Sequence, residues 1–287
     1  MSEAAQIDIF GNEESPFASA KERYGLWPVT VWDVDVRDPY TRKLRDAIGD
    51  AGQNREGSFT KDTDDKSTYR GKLSASIFSP AVASWALNLY APADGGTVVD
   101  PFAGGGTRAI IAASLGHHYV GTELREDEAA DVTGRATALG FADRVRIVHG
   151  DARSIDQHVR DADVLLTCPP YWNMERYEGG PADLSQAATY DEFLEGIRDV
   201  AKAALFTLKP GAAAVWVVGL HRTSDGTLLP LNHDIARVHR DVGWVFREEI
   251  VLRRIGDGSM TRIGQFEKGR GHLVRQHEYA LVFRKPA

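Results

Sequence analysis

From about residue 97 onward, short apolar runs alternate with stretches whose apolar residues recur at helical spacing. That alternation predicts βαβ units and a mostly parallel sheet. Thr97-Val98-Val99-Asp100 reads as a first strand and runs into the glycine cluster Gly104, Gly105 and Gly106. The Ala/Ile-rich stretch from Thr107 to Leu115 is predicted helical, with Gly116 as its stop. Tyr119 to Glu123 is a second strand, Arg125 to Leu139 a helix stopped by Gly140, and Val145 to Val148 a third strand. Asp163 to Thr167 is almost continuously apolar, as a strand buried on both faces must be. A long helix over Tyr190 to Leu208 is closed by Pro210-Gly211, and strands follow over Ala213 to Val218, Phe246 to Leu252 and Glu278 to Phe283.

Two segments break the pattern. Residues 1–72 read as an irregular extension, with polar Asp50 to Tyr69 as loop. Residues at about 253–276 are glycine-rich and aperiodic and form an insertion in the domain that spans 73–287. The chain has 287 residues, 43% hydrophobic and 26% charged, which suits one large globular domain. Its longest apolar run, Gly211 to Leu220, is about half the roughly 18–20 residues a membrane helix needs. The polar, acidic start, Met1 to Glu14, lacks a basic-then-apolar leader pattern. A single cysteine, Cys168, excludes an intramolecular disulfide, and the scattered histidines show no ligand spacing, so no metal is expected. The cytoplasm is the expected location.

The turn Asp100-Pro101-Phe102-Ala103-Gly104-Gly105-Gly106-Thr107 joins a strand to a helix at the carboxyl edge of the predicted sheet. Ligands bind at that edge in α/β proteins, and glycine lets the backbone come close to one. Glu123 ends the second strand, 23 positions after Asp100, where an acid binds ribose hydroxyls in dinucleotide folds. Asp151 follows the third strand and is placed to accept from an adenine amino group. A dehydrogenase fingerprint is excluded, because Thr107, Arg108 and Ala109 follow where its third glycine would fall.

Directly after the fourth strand comes Thr167-Cys168-Pro169-Pro170-Tyr171-Trp172. Two prolines remove two donors, stiffen the chain and hold the residue before them extended. Carbonyl acceptors backed by an aromatic ring suit the methylation of an exocyclic amine. That nitrogen's lone pair is delocalised into the base, so acceptors on its N–H groups orient it and favour the attacking geometry.

The glycine turn resembles the Asp-x-Phe-x-Gly-x-Gly-Thr motif of amino-group DNA methyltransferases, and Cys168 to Tyr171 resembles their [Asp/Asn/Ser]-Pro-Pro-Tyr motif. The resemblance covers about residues 70–285 and extends to phage and bacterial members with Cys-Pro-Pro-Tyr. It implies a class I S-adenosylmethionine (SAM)-dependent methyltransferase fold, α/β and Rossmann-like, with a seven-stranded, mostly parallel sheet and an antiparallel last strand. His277 to Phe283 resembles that strand. Asp100, Phe102, Gly104, Gly106 and Thr107 would then surround the methionine part of SAM, joined by Phe78 and Ser79 of the earlier motif Ile77-Phe78-Ser79-Pro80, with Glu123 and Asp151. The target site would be Cys168, Pro169, Pro170 and Tyr171, with the Pro169 carbonyl on the amine and Tyr171 stacked on the base.

Cys168 departs from the family, since a thiol is a weaker acceptor than Asp, Asn or Ser. A small, non-acidic group there leans toward cytosine N4 over adenine N6. Covalent cytosine-C5 chemistry has the cysteine after the proline and a Glu-Asn-Val motif, and neither is present. DNA is the expected partner despite a net charge of −7, because the insertion gathers Arg253, Arg254, Arg262, Lys268, Arg270 and Arg275 against Asp257 and Glu267. Trp172, Asn173, Arg176 and Tyr177 are further candidates beside the base. RNA or a protein glutamine as substrate, an inactive SAM-binding module and a homodimer stay open.

Overall fold

The computed structural model describes residues 24, 26, 28–35, 37–39, 42–43, 78–174, 177, 179–256 and 273–287. The chain runs through β1 (Val31–Asp35), α1 (Pro80–Tyr90), β2 (Thr97–Asp100), α2 (Thr107–Ser114), β3 (His118–Glu123) and α3 (Glu126–Ala138). It continues through β4 (Val145–His149), β5 (Ala162–Thr167), α4 (Tyr190–Thr207), β6 (Leu208–Val218) and the short pair β7 (His221–Arg222) and β8 (Leu228–Leu229). It ends with α5 (Leu231–Asp241), β9 (Val245–Ile255) and β10 (His277–Arg284).

Eight of these strands form one sheet in the order β1-β9-β10-β6-β5-β2-β3-β4. All neighbours are parallel except β10, which is antiparallel to both β6 and β9. From β2 the chain winds outward through β3 and β4, then returns to the other side of β2 with β5. The reversal leaves a crevice outside the carboxyl ends of β2 and β5, the place where open α/β sheets bind ligands. The chain also leaves β9 at this edge, so the basic insertion begins beside the crevice.

Burial on both faces explains the continuous apolar strands. Val98, Val164, Leu166 and Val217 pack on one side with Ala81 of α1, Ile110 of α2 and Val132 of α3. Val99, Leu165 and Trp216 pack on the other with Ile197 of α4 and Ile235 of α5. Helix α4 begins with a capping box, in which Thr189 Oγ1 accepts from the Glu192 N–H and the Glu192 carboxylate from the Thr189 N–H. The helix ends at Thr207, and Lys209, which precedes Pro210, is held extended. Pro210-Gly211 therefore lies inside β6 rather than between helix and strand.

The sheet has eight strands, not the seven expected, and the extra one comes from the segment read as irregular. In β1, Trp32 and Val34 alternate with polar or exposed neighbours and face the core. Aspartate is depleted in strands, so two of them in five residues argued against one. Helix α5 was also missed: Leu231, Ile235 and Val238 make its buried stripe, but four histidine or arginine side chains break up the surrounding pattern. Trp32 is 2% exposed, packs edge-on against Trp85 with ring centroids 6.0 Å apart and donates from Nε1 to the Val29 carbonyl at 2.8 Å. Trp32→Ala is expected to lower unfolding stability by roughly 3–5 kcal/mol, measured by urea denaturation. An unchanged midpoint would mean that β1 does not belong to the folded core.

Candidate active site

The turn after β2 is fastened from beneath by Asp100, which is 0% exposed. Its Oδ1 accepts from the Phe102 N–H at 3.0 Å and the Thr167 hydroxyl at 2.5 Å. Its Oδ2 accepts from Arg108 Nε at 2.6 Å and the Tyr119 hydroxyl at 2.7 Å. These four donors match the acceptor capacity of a carboxylate. Asp100 thus lies under the cradle, fully engaged by the protein. Arg108, buried at the start of α2, also donates to the Phe102 carbonyl at 2.5 Å and stands 4.7 Å from the centroid of the Phe78 ring. Burial works against the Arg108 charge, but Asp100 and then Tyr119 outweigh it and raise its pKa. Burial, and next Asp100, raise the Tyr119 phenol well above its ordinary value, so it stays a donor.

The two outer glycines serve different ends. Gly104, at φ +51°, would meet only the Phe102 carbonyl oxygen, at 3.8 Å, if it carried a Cβ, so the cradle is open there. Gly106, at φ +73°, would drive a Cβ to 2.5 Å from Val132, so this glycine lets α3 approach the turn. Glu123 accepts from the Gly104 N–H at 2.8 Å and the Arg125 N–H at 2.9 Å. Burial raises its pKa while those two N–H groups oppose the rise. Ser79 caps α1 and Thr107 is the first residue of α2. Asp151 caps the 3-10 turn Ala152–Gln157 and is gripped by the Arg153 guanidinium, with Nη2 at 2.6 Å. The open space at Gly104, beside the Glu123 carboxylate that can accept from ribose hydroxyls, fits a cofactor of the SAM type. Gly104, Glu123 and Phe102 would hold it.

Thr167 ends β5, so its bond to Asp100 ties the next four residues to the glycine turn. Cys168 is half-buried, with Sγ 3.4 Å from the Tyr171 hydroxyl. Burial is the main force pushing its thiol up to about 12. It is no thiolate at neutral pH. The Tyr171 ring lies over Gly219, where a Cβ would be 2.6 Å from Cε2. Trp172 takes the left-handed conformation at φ +52°. It is held by Nε1 donating to the Ala187 carbonyl at 3.0 Å and by the rings of Tyr190 and His221, with centroids 5.6 and 5.8 Å away. Trp172 therefore anchors the loop to the start of α4, while Asn173 is exposed. Burial and then the Arg275 charge lower the pKa of His221.

Of the basic candidates, Arg253 is paired with Asp33 through Nε at 2.6 Å and Nη2 at 2.5 Å. Arg254 donates to Glu278 at 3.2 Å. Two of the six charges counted toward the insertion are thus matched by acids elsewhere in the chain. Arg275 lies where the chain re-enters β10, and Arg262, Lys268, Arg270 and Arg176 lie outside the described residues. Among the described residues, no group of three or more His, Cys, Asp or Glu could hold a metal ion, and no helix is long and apolar enough to cross a membrane. Sequence reading missed Arg108, Tyr119, Thr167 and Gly219 as parts of the site. Only Arg108, an arginine on an otherwise apolar helix, left a visible signal.

The sheet order and the strand-edge site define the class I SAM-dependent methyltransferase fold. Residues 162–287 match the family model described as DNA methylase, N6_N4_Mtase. Among solved structures, the chain is similar to the [4+2]-cyclase SpnF, with 14% identity over 86% of this chain and 93% of that one and a TM-score of 0.53. It also matches TrmN from Thermus thermophilus, at 21% identity over 76% of this chain and a TM-score of 0.49. An O-methyltransferase from Thermotoga maritima matches at 16% identity over 74% of this chain and 67% of that one, with a TM-score of 0.47. The chain spans about half, 51%, of the TrmN chain. These identities speak to the fold alone, and a cyclase among the neighbours shows that the fold does not dictate the reaction.

Gly219→Ala tests the link between β6 and the target segment. The added methyl must displace the Tyr171 ring, so methyl transfer is expected to fall while SAM affinity, measured by calorimetry, stays at the wild-type value. Wild-type transfer would show that the ring position is immaterial.

Proposed function

We propose that the protein methylates an exocyclic amino group of a DNA base by direct, non-covalent transfer from SAM, with cytosine N4 ahead of adenine N6. One observation carries the reading: the Thr167–Asp100 bond brings the Cys-Pro-Pro-Tyr segment to the edge of the glycine cradle, with its tyrosine ring fixed over Gly219. When bound, SAM supplies an electrophilic methyl group. The Pro169 carbonyl orients the amine by accepting one of its N–H groups, and the Tyr171 ring holds the base by stacking. A base within a duplex is first turned out of the stack. Cys168 does not attack, because burial keeps its thiol protonated up to about pH 12. The lean toward cytosine rests on the small, non-acidic side chain at 168. Contacts to phosphate fall to the basic insertion, which starts at the active edge.

Mass spectrometry of nucleosides from unmethylated DNA treated with the protein and SAM is expected to show N4-methyldeoxycytidine. N6-methyldeoxyadenosine would change the base and keep the chemistry; 5-methyldeoxycytidine, or methylation confined to RNA or protein, would overturn the proposal. Cys168→Ser should retain transfer, since a hydroxyl replaces the thiol as a non-acidic group. Tyr171→Ala should weaken transfer by the value of one stacking contact, about 1–3 kcal/mol, or roughly 5- to 150-fold, in a steady-state methylation assay.

A further inference from the structure

An exocyclic amine presents two N–H groups. In the reading above, which this inference rests on, the Pro169 carbonyl takes one of them. Cys168 is a poor acceptor for the other, because a thiol accepts weakly and its sulfur is already engaged with the Tyr171 hydroxyl. The neighbouring strands offer a stronger side-chain acceptor.

Strand β6 separates β5 from β10, with Thr167 opposite Trp216 and Trp216 opposite Leu281. One step toward the carboxyl edge, Ala280 stands opposite Val217, level with Cys168. All three pack into the same cluster on one face of the sheet. Side chains alternate along a strand, so Glu278 projects on that face too, two residues nearer the edge. Continuing the register beyond Tyr279 and Val218 sets Glu278 level with Gly219, the residue over which the Tyr171 ring lies. Cys168 and Glu278 are thus two strand spacings apart across the sheet and two residues apart along it, about 12 Å between backbones, and look out over the same edge beside the Tyr171 ring. Glu278 is 27% exposed and accepts from Arg254 at 3.2 Å. Its negative charge reaches Cys168, where it adds to the rise of the thiol pKa behind burial.

We infer that Glu278 is the second acceptor for the target amine and receives the proton that the amine sheds. The amine nitrogen gains the methyl group through its lone pair, and the electron pair of the broken carbon–sulfur bond stays with sulfur. The nitrogen then holds one proton too many. The Glu278 carboxylate takes it, which leaves a neutral methylated base and a neutral carboxylic acid that passes the proton to water at its exposed edge.

Single-turnover methylation with saturating SAM and unmethylated DNA, together with SAM affinity measured without DNA, tests the assignment. Glu278→Gln keeps the size and the neutral acceptor but cannot take the proton, so the rate should fall by about 100-fold with SAM affinity unchanged. Adding Cys168→Asp to that variant restores a carboxylate from the opposite side and should recover about tenfold or more, a fraction of the general-base contribution. An active wild type with an equally active Glu278→Gln overturns the inference. So does a parallel loss of rate and SAM affinity with no recovery by Cys168→Asp, which would make Glu278 a structural partner of Arg254. A wild type that methylates no DNA base overturns the underlying reading instead.

Discussion

The carboxylate of Asp100 holds the active edge together. A buried charge costs several kcal/mol unless it is paired and hydrogen-bonded, and Asp100 meets that cost with donors drawn from four places. Arg108 comes from α2, Tyr119 from β3, Thr167 from β5 and the Phe102 N–H from the turn itself. One side chain thereby fixes the glycine turn against the strands on either side of it. Removing Arg108 would leave an uncompensated charge in the interior, at a typical cost of about 3–5 kcal/mol. The network is better understood as a device for position than as a source of net stability.

From that anchor the two halves of the site follow. On one side the open space at Gly104 faces Glu123, and Arg108 braces the turn's carbonyls against Phe78. On the other, Thr167 hands over to a segment that two prolines keep stiff. Trp172 stores backbone strain, about 1–3 kcal/mol for a non-glycine residue in the left-handed region. The indole hydrogen bond to Ala187 and the packing on Tyr190 and His221 offset it. The strained residue directly follows Tyr171 and sets the direction in which the chain leaves that ring.

Much of this was legible in the sequence. Strands β2 and β5 could be read because burial on both faces demands continuous apolar runs, and the glycine and proline motifs followed them in chain order. Strand β1 escaped because Asp33 and Asp35 interrupt it, and Asp33 is explained only by Arg253, 220 residues away. Arg253 and Arg254 looked like free cations for phosphate, since their acidic partners are not local in sequence. Thr167 and Gly219 carry no chemical signature; they matter through what the fold sets beside them. The reading of Asp100 as a cofactor contact came from the resemblance of the glycine turn to the family motif, and the structure shows a carboxylate with its acceptor positions filled from within.

Under the proposed function, the paired prolines have a consequence for which base can enter. Pro169 and Pro170 contribute carbonyl oxygens and no N–H, so this stretch of the edge speaks with one polarity. Thymine O4 is an acceptor and finds no donor there, whereas the amino groups of cytosine and adenine are donors. Discrimination between bases begins with the absence of two hydrogen atoms from the protein backbone, before any side chain has been consulted.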